Sequence, residues 1–175
     1  MSDDSTEVPC PLRARLAAEP LWDFALAFYG REGVETACLT LQDQAGVDVC
    51  ELLWRCWLYR HGLDVAIDPG EVRHWQASVT VPLRELRRHL KPQARQSEPV
   101  AELRCQLQQV ELLAEREALS RLEALSLAST SLTRLPDPPP GLENHLVSRL
   151  QMKKNSHVIA LQALKRQLDP PWGPR

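Results

Sequence analysis

The sequence predicts an all-α protein in which a compact multi-helix core precedes a long helix and a C-terminal helix. Apolar residues recur at intervals of three and four along most of the chain, a spacing that places them on one face of a helix. Glycine or proline stands at the end of most of these patterns. The expected parts are a flexible leader at 1–19, a helical core at 20–95, a long amphipathic helix at 96–134, a proline-rich corner at 135–141, and a C-terminal helix and tail at 142–175. We expect the last two helices to pair as an antiparallel hairpin.

The core begins at Pro20, a residue that suits the first turn of a helix. The preceding residues 1–10 are polar and acidic and include a proline, so we expect them to acquire little structure. The helix after Pro20 carries a wide apolar surface that includes Trp22 and Phe28. Gly30 ends this helix.

Two further helices meet at a short corner around Gly46. The first keeps its apolar residues on one face up to Ala45, and Gly46 can take the left-handed conformation that ends a helix. Asp48 is placed to accept hydrogen bonds from the free amides of the next helix. That helix carries Trp54 and Trp57, and two indoles at this spacing indicate core packing.

More helices follow the three-helix core. A short helix is expected from Asp68 through Trp75. We then expect an extended link at 78–81, because Pro82 disfavours helical geometry at the residue that precedes it. Pro82 would start a second helix that continues to Leu90.

The longest pattern runs from Pro99 to about Ser129. A helix of about 30 residues would be roughly 45 Å long, which is longer than the core requires. After the proline-rich corner, residues 142–168 resume a helical pattern that a polar stretch at 153–156 interrupts. The sequence therefore predicts two long apolar seams that need a covering surface.

Composition restricts the class of protein. The chain has 175 residues and a net charge of −2, so it lacks the basic excess that by itself would indicate nucleic-acid binding. Its apolar runs are shorter than a bilayer span requires, and its start does not resemble a secretion signal. Five cysteines at irregular spacings indicate reduced thiols. We expect a cytoplasmic protein that does not enter a membrane.

Metal binding and nucleophilic catalysis have weak support in the sequence. Histidines and cysteines do not occur at the spacings that place two metal ligands on one helix face. A nucleophilic enzyme or a small ligand-binding protein could use a pocket near the corner between Asp43 and Asp48. Packing explains Cys56, capping explains Asp48, and a favourable position near a helix C-terminus explains His61 equally well. We therefore assign no catalytic, cofactor-binding or metal-binding residue and expect no cofactor.

A basic segment is the candidate anion-binding site. Its residues are Arg84, Arg87, Arg88, Lys91 and Arg95. Only Glu85 opposes them, so the segment could bind nucleic acid or the ribosome. The alternative is a solvated face whose positive charges complement the acidic side chains of the long helix. We favour this alternative because no aromatic residues interleave with the charges.

The apolar seams are the candidate partner-binding surface. The proposed contact residues are Leu103, Leu107, Val110, Leu146 and Leu150. Each seam must be covered by the core, by its partner helix or by another chain. If the hairpin extends beyond the core, self-association or binding to another protein follows.

Several short segments in the first two thirds of the chain resemble a known family. They are Leu21-Trp22-Asp23-Phe24-Ala25-Leu26, Gly33-Val34-Glu35, Leu41-Gln42-Asp43, Gly46-Val47-Asp48-Val49 and Leu52-Leu53-Trp54. Together they resemble an uncharacterised family of small bacterial proteins over residues 21–125. The resemblance implies a cytoplasmic bacterial protein with a helical fold, and it implies no activity or ligand.

The sequence favours a non-enzymatic cytoplasmic protein that acts by protein–protein interaction or regulation. A small enzyme or ligand-binding protein with a pocket at the Asp43 to Asp48 corner is the second hypothesis. A nucleic-acid- or ribosome-associated protein that uses the Arg84 to Arg95 face is the third.

Overall fold

The computed structural model describes residues 10–153 and 156–168 of the chain. The described part is mostly helical, as predicted, and also contains a two-stranded sheet. The helices are α1 (Cys10–Ala18), α2 (Leu21–Tyr29), α3 (Val34–Ala45), α4 (Val49–Arg60), α5 (Gly70–Trp75), α6 (Val81–His89), α7 (Lys91–Ala94), α8 (Glu98–Ala128), α9 (Leu142–Arg149) and α10 (Val158–Leu168), and the strands are β1 (Leu63–Val65) and β2 (Leu132–Arg134).

The chain divides into two compact units. Of the described residues, unit 1 contains those up to Ile67 together with those from Glu123 onward, and unit 2 is Asp68–Leu122. The division falls within α8, whose predicted course is confirmed from Glu98 to Ala128.

Helix α4 is at the centre of unit 1. Its Trp54 and Trp57 side chains are completely buried, which confirms that these indoles belong to the core. Both indole N–H groups have acceptors: Trp54 Nε1 donates to Ser126 Oγ at 2.7 Å, and Trp57 Nε1 donates to the Glu19 carbonyl at 2.9 Å. Apolar burial and satisfied donors together make these two tryptophans stable core residues.

The corner between α3 and α4 has the predicted structure. Gly46 adopts φ +65°, the left-handed conformation that ends α3. Asp48 caps α4, since its Oδ1 accepts a hydrogen bond of 2.8 Å from the Glu51 amide.

The expectation that residues 1–19 form a flexible leader is wrong for 10–18, which form α1. Leu12 and Leu16, one helical turn apart, are buried. The Arg13 guanidinium donates to the Ser129 carbonyl at 3.1 Å. The burial of these leucines gives α1 tertiary contacts that the prolines and charges of this segment did not indicate. The rest of the predicted leader, residues 1–9, lies outside the described residues.

The C-terminal segment forms two helices where the sequence predicted one. They pack in unit 1, α9 against α4 and α10 against α3, where we expected a hairpin with the long helix. Leu146 and Leu164 are fully buried. The apolar face of this segment is therefore covered by the front helices of its own unit.

The two strands were not predicted. β1 and β2 pair antiparallel, with Leu63 opposite Arg134 and Val65 opposite Leu132. Each strand has three residues and its partner is about seventy positions away, so local periodicity carries no signal for it.

In unit 2, α5 continues through a π-helical turn, Gln76–Thr80, into α6. The extended link expected at 78–81 is therefore wrong, and Val81 has helical angles of φ −61° and ψ −47°. A π turn widens the helix just before Pro82. The wider turn accommodates proline, which has a bulky ring and no N–H to donate. Thr80 Oγ1 also donates to Gln76 Oε1 at 2.6 Å inside this turn.

None of the helices in the part of the chain that the structure describes has the length and apolar character that a membrane span requires.

Candidate interaction surface

In unit 2, the helical segment formed by α5 and α6 runs antiparallel to α8. Trp75 Nε1 donates to the Ala114 carbonyl at 3.0 Å, whereas Arg104 Nε donates to the Arg87 carbonyl at 3.2 Å. Residues later in α5 and α6 thus contact residues earlier in α8. We call α6 together with Glu98–Leu122 of α8 the hairpin.

An ionic cluster joins the two helices of the hairpin. Arg84 Nε and Arg87 Nε lie 2.8 and 2.6 Å from the two carboxylate oxygens of Glu111. A second Arg84 nitrogen lies 2.7 Å from Glu115 Oε1. The Glu111 side chain is only 8% exposed, and burial by itself raises the pKa of its carboxyl. The hydrogen bonds and charges of the two arginines outweigh burial, so the pKa of Glu111 lies below its ordinary value.

This cluster determines which basic residues of the candidate anion-binding segment are available to an external anion. Arg84 and Arg87 face the acidic side chains of α8, which is the arrangement that we favoured from the sequence. Arg88, Lys91 and Arg95 are exposed. The segment thus offers fewer cations to an outside anion than its sequence indicates.

An aliphatic surface lies beside the ionic cluster. One row is on α6 and its C-cap, and the other is on α8. We call these six residues the aliphatic face: Leu83, Leu86, Leu90, Leu103, Leu107 and Val110. Each residue of a helix is rotated by about 100° around the helix axis. On both α6 and α8, the aliphatic row therefore lies about a quarter turn from the ion-paired side chains of the same helix. The direction of this offset around the axis is the same in the two helices. Because the two helices are antiparallel, this shared sense puts both rows on one side of the hairpin.

The exposure of these side chains supports this placement. Leu86 is 47% exposed, Leu103 50% and Val110 46%, and the other three are partly exposed. Three of the six residues, on α8, were predicted to bind a partner. The row on α6 is an apolar stripe by its spacing of three and four residues, but it was not among the predicted contact residues.

The opposite side of the hairpin carries charged and apolar side chains together. By the same helical count it carries Val81, Glu85 and Arg88 on α6, and Cys105 and Leu112 on α8. Leu112 is 42% exposed, close to the value for Leu103. The hairpin therefore contains a matched leucine outside the aliphatic face.

The other two predicted contact residues are located elsewhere. Leu146 is fully buried in unit 1, and Leu150, at the end of α9, is half-buried. Leu146 therefore stabilises the core of its own chain.

Sequence reasoning also missed a buried polar cluster in unit 1. Asp64 in β1 lies 3.8 Å from an Arg55 nitrogen and 3.8 Å from His145 Nε2, and it accepts a hydrogen bond from Arg149. Arg55 also donates to the Val65 carbonyl at 2.7 Å. The cluster connects α4, β1 and α9. The segment 55–65 and the segment 145–149 are about eighty positions apart in the sequence, so only the tertiary fold brings the two together.

The charges of this cluster affect the titration of His145. Burial lowers its pKa, the Asp64 carboxylate raises it, and the charges of Arg149 and Arg55 lower it. The net effect is a pKa below the ordinary value of 6.5. At neutral pH the histidine is therefore uncharged, and its ring packs 5.6 Å from that of Tyr59.

The corner suggested for an enzyme has little catalytic character. Asp43 is exposed, while Asp48 is engaged as the helix cap. Cys56 is completely buried, which raises the pKa of its thiol, and His61 Nε2 lies 2.7 Å from a Glu19 carboxylate oxygen. A buried, protonated thiol is a poor nucleophile. Within residues 10–153 and 156–168, no group of three or more His, Cys, Asp or Glu side chains is placed to hold a metal ion.

Comparison with known proteins identifies a family. A family model described as "Protein of unknown function (DUF2390)" matches residues 20–122, more than half of the chain. The resemblance drawn from the sequence over 21–125 is thus confirmed. No curated protein and no solved structure matches the chain significantly.

Proposed function

We propose that the chain, which belongs to the family described as "Protein of unknown function (DUF2390)", is a non-enzymatic cytoplasmic protein that acts by protein–protein interaction or regulation. The aliphatic face is its binding surface. The observation that supports this function is that Leu86, Leu103 and Val110, on one side of the hairpin, are each about half exposed.

The size of the hydrophobic term supports binding at this face. Complete burial of a leucine or valine stabilises by about 1.5–3 kcal/mol, so covering a half-exposed side chain contributes roughly half of that. Leu86, Leu103 and Val110 would together contribute on the order of 2–5 kcal/mol before any gain on the partner's side. Since association costs at least about 4 kcal/mol, a partner must supply a comparable apolar surface.

The two alternative functions have less support. At the corner, Asp43 extends to solvent and Asp48 is already hydrogen-bonded. In the basic segment, Arg84 and Arg87 already pair with Glu111. Binding to nucleic acid would require the remaining exposed cations to act without them.

Native mass spectrometry of the tagged protein, purified gently from its own cells, tests the proposal. For the natural chain, we expect the spectra to show a retained protein partner or a homo-oligomer. Leu103→Glu should release it, because an unpaired charge would be buried at the interface. Leu112→Glu is the matched control and should retain it. Release by both variants, or by neither, would contradict the assignment to the aliphatic face.

A further inference from the structure

We infer that unit 1 opens in mild acid while unit 2 stays closed, because protons enter unit 1 at two buried histidines, His61 and His145. Their side chains are 10% and 5% exposed. The two histidines of unit 2, His74 and His89, are both exposed. The fold therefore contains an acid-sensitive switch in one of its two units.

The surroundings of His61 suit a neutral ring. Its Nε2 lies 2.7 Å from a Glu19 carboxylate oxygen, whereas its Nδ1 is buried and has no hydrogen-bond partner among the described residues. A protonated ring carries a hydrogen on both nitrogens, so Nδ1 would become a buried donor without an acceptor. The charged groups that act on the ring are Glu19, which follows α1, Arg15 on α1 and Arg60 on α4. One carboxylate thus balances two cations, and a third positive charge is disfavoured.

The surroundings of His145 have the same character. Within the described part of the chain its Nε2 is buried without a hydrogen-bond partner, and Asp64 Oδ1 is 3.8 Å away, beyond hydrogen-bond distance. Protonation would therefore create a second buried N–H without an acceptor. The groups that face the ring are Asp64 from β1, Arg55 and Tyr59 from α4, and Arg149 from its own helix. The Asp64 carboxylate is already shared by the two arginines.

The titration of both rings agrees with this geometry. Burial lowers the pKa of His61 and of His145 below 6.5, although Glu19 and Asp64 act in the opposite direction. Opened segments therefore take up protons at a higher pH than closed ones do. The stability of unit 1 is complete above pH 6.5, and it falls from there until the pH reaches the folded values. At pH 5, each histidine can raise the opening constant by at most about 30-fold, and the two together by at most about 1,000-fold.

Unit 2 responds in a lower pH range. Protonation of its exposed His74 and His89 places no charge in the interior. Its buried carboxylate, Glu111, is held charged by Arg84 and Arg87, and the pKa of that carboxyl lies below 4.5. The hairpin therefore keeps its ionic cluster at a pH at which both histidines of unit 1 already favour the open state.

Hydrogen exchange of the full chain, followed by mass spectrometry at about pH 7, 6 and 5, tests the inference. Protection factors, which are corrected for the pH dependence of intrinsic exchange, report the opening of each helix separately. Between pH 7 and pH 5 we expect them to fall at least about tenfold in α4 and α9, the helices that carry the two histidine sites. In α6 and in residues 98–122 of α8 they should change less than about twofold.

Three variants show which histidines carry the effect. His61→Gln and His145→Gln should each remove part of the fall in protection, because glutamine takes up no proton in this range. His74→Gln, at an exposed histidine, is the matched control and should leave the fall intact. Each variant is compared with itself at different pH, so a loss of stability that is equal at every pH does not affect the result.

Three results would overturn the inference. They are constant protection of α4 and α9 down to pH 5, an equal fall in both units, and a fall that neither His61→Gln nor His145→Gln reduces. The first two are measured on the natural chain alone, so they decide the question even if a substitution prevents folding.

Discussion

Replacing Glu111 by glutamine should destabilise the protein by about 2 kcal/mol. The nearly isosteric substitution removes one buried charge that two arginines face, at 2.8 Å for Arg84 and 2.6 Å for Arg87. Breaking a fully buried ion pair costs about 3–5 kcal/mol. We expect less here, because both arginines are partly exposed and Arg84 keeps its contact with Glu115. An exposed pair, Glu117 with Arg121, supplies the control.

The assay is urea unfolding of the full chain at pH 7, followed by circular dichroism. Glu117→Gln should cost no more than about 0.5 kcal/mol, since both partners of that pair are more than 40% exposed. Hydrogen exchange of the α6 amides should also become faster in Glu111→Gln. Equal losses of stability in Glu111→Gln and Glu117→Gln would refute the view that the buried cluster holds the hairpin together.

Acid should remove the same stabilisation in the natural chain. The folded pKa of Glu111 lies below its ordinary value of 4.5. Its contribution is therefore complete above that ordinary value, and it is lost as the pH falls through the lower folded value. In Glu111→Gln this part of the pH dependence should be absent.

Three further predictions concern unit 1 and the thiols. Ser126→Ala should cost about 1–3 kcal/mol in urea unfolding, because it leaves the buried Trp54 indole N–H without its 2.7 Å acceptor. Alkylation followed by peptide mass mapping should modify the exposed Cys105 in the folded chain and spare Cys38, whose pKa burial raises to about 12. Stability should fall as the pH drops below 6.5, the ordinary pKa of histidine, because the folded pKa of His145 is lower and the unfolded chain binds the proton first. His145→Gln should flatten this decline when urea unfolding is measured in steps of pH.

Each of these predictions has an outcome that would count against it. A Ser126→Ala variant as stable as the natural chain would mean that the Trp54 hydrogen bond contributes nothing. Equal alkylation of Cys38 and Cys105 in the folded protein would contradict the burial of the first. An unchanged pH profile in His145→Gln would mean that this histidine has the same pKa in the folded and unfolded chains.

The helices that local patterns specify were predictable. Gly46 and Asp48 fix a corner through residue types whose conformations and hydrogen bonds depend only on near neighbours. The long helix α8 follows from an uninterrupted apolar period. In these places the sequence and the structure agree, because the decisive interactions are short-range.

Tertiary interactions explain the differences. The π turn before Pro82 and the pairing of β1 with β2 both depend on contacts or geometry that a helical period does not contain. The pairing of α10 with α3 was missed because an amphipathic helix indicates that it needs a cover and not which helix provides it. Leu146 was assigned to a partner surface for the same reason.

One of the two rows of the candidate surface was predictable from the sequence. Leu103, Leu107 and Val110 were visible as a seam on one helix, whereas their continuation on α6 requires the antiparallel order set by Trp75 and Arg87. The Asp64 cluster could not be predicted at all, since a buried salt bridge between distant segments leaves no local pattern.

A photo-reactive side chain placed at position 103, and in a second protein at position 112, tests the central claim most directly. The two leucines are similarly exposed on opposite sides of the same hairpin. Irradiation in the protein's own cells should give a protein adduct of defined mass from position 103 and little from position 112. Equal yields at both positions, or an adduct at position 112 alone, would contradict the claim that the aliphatic face is the binding surface.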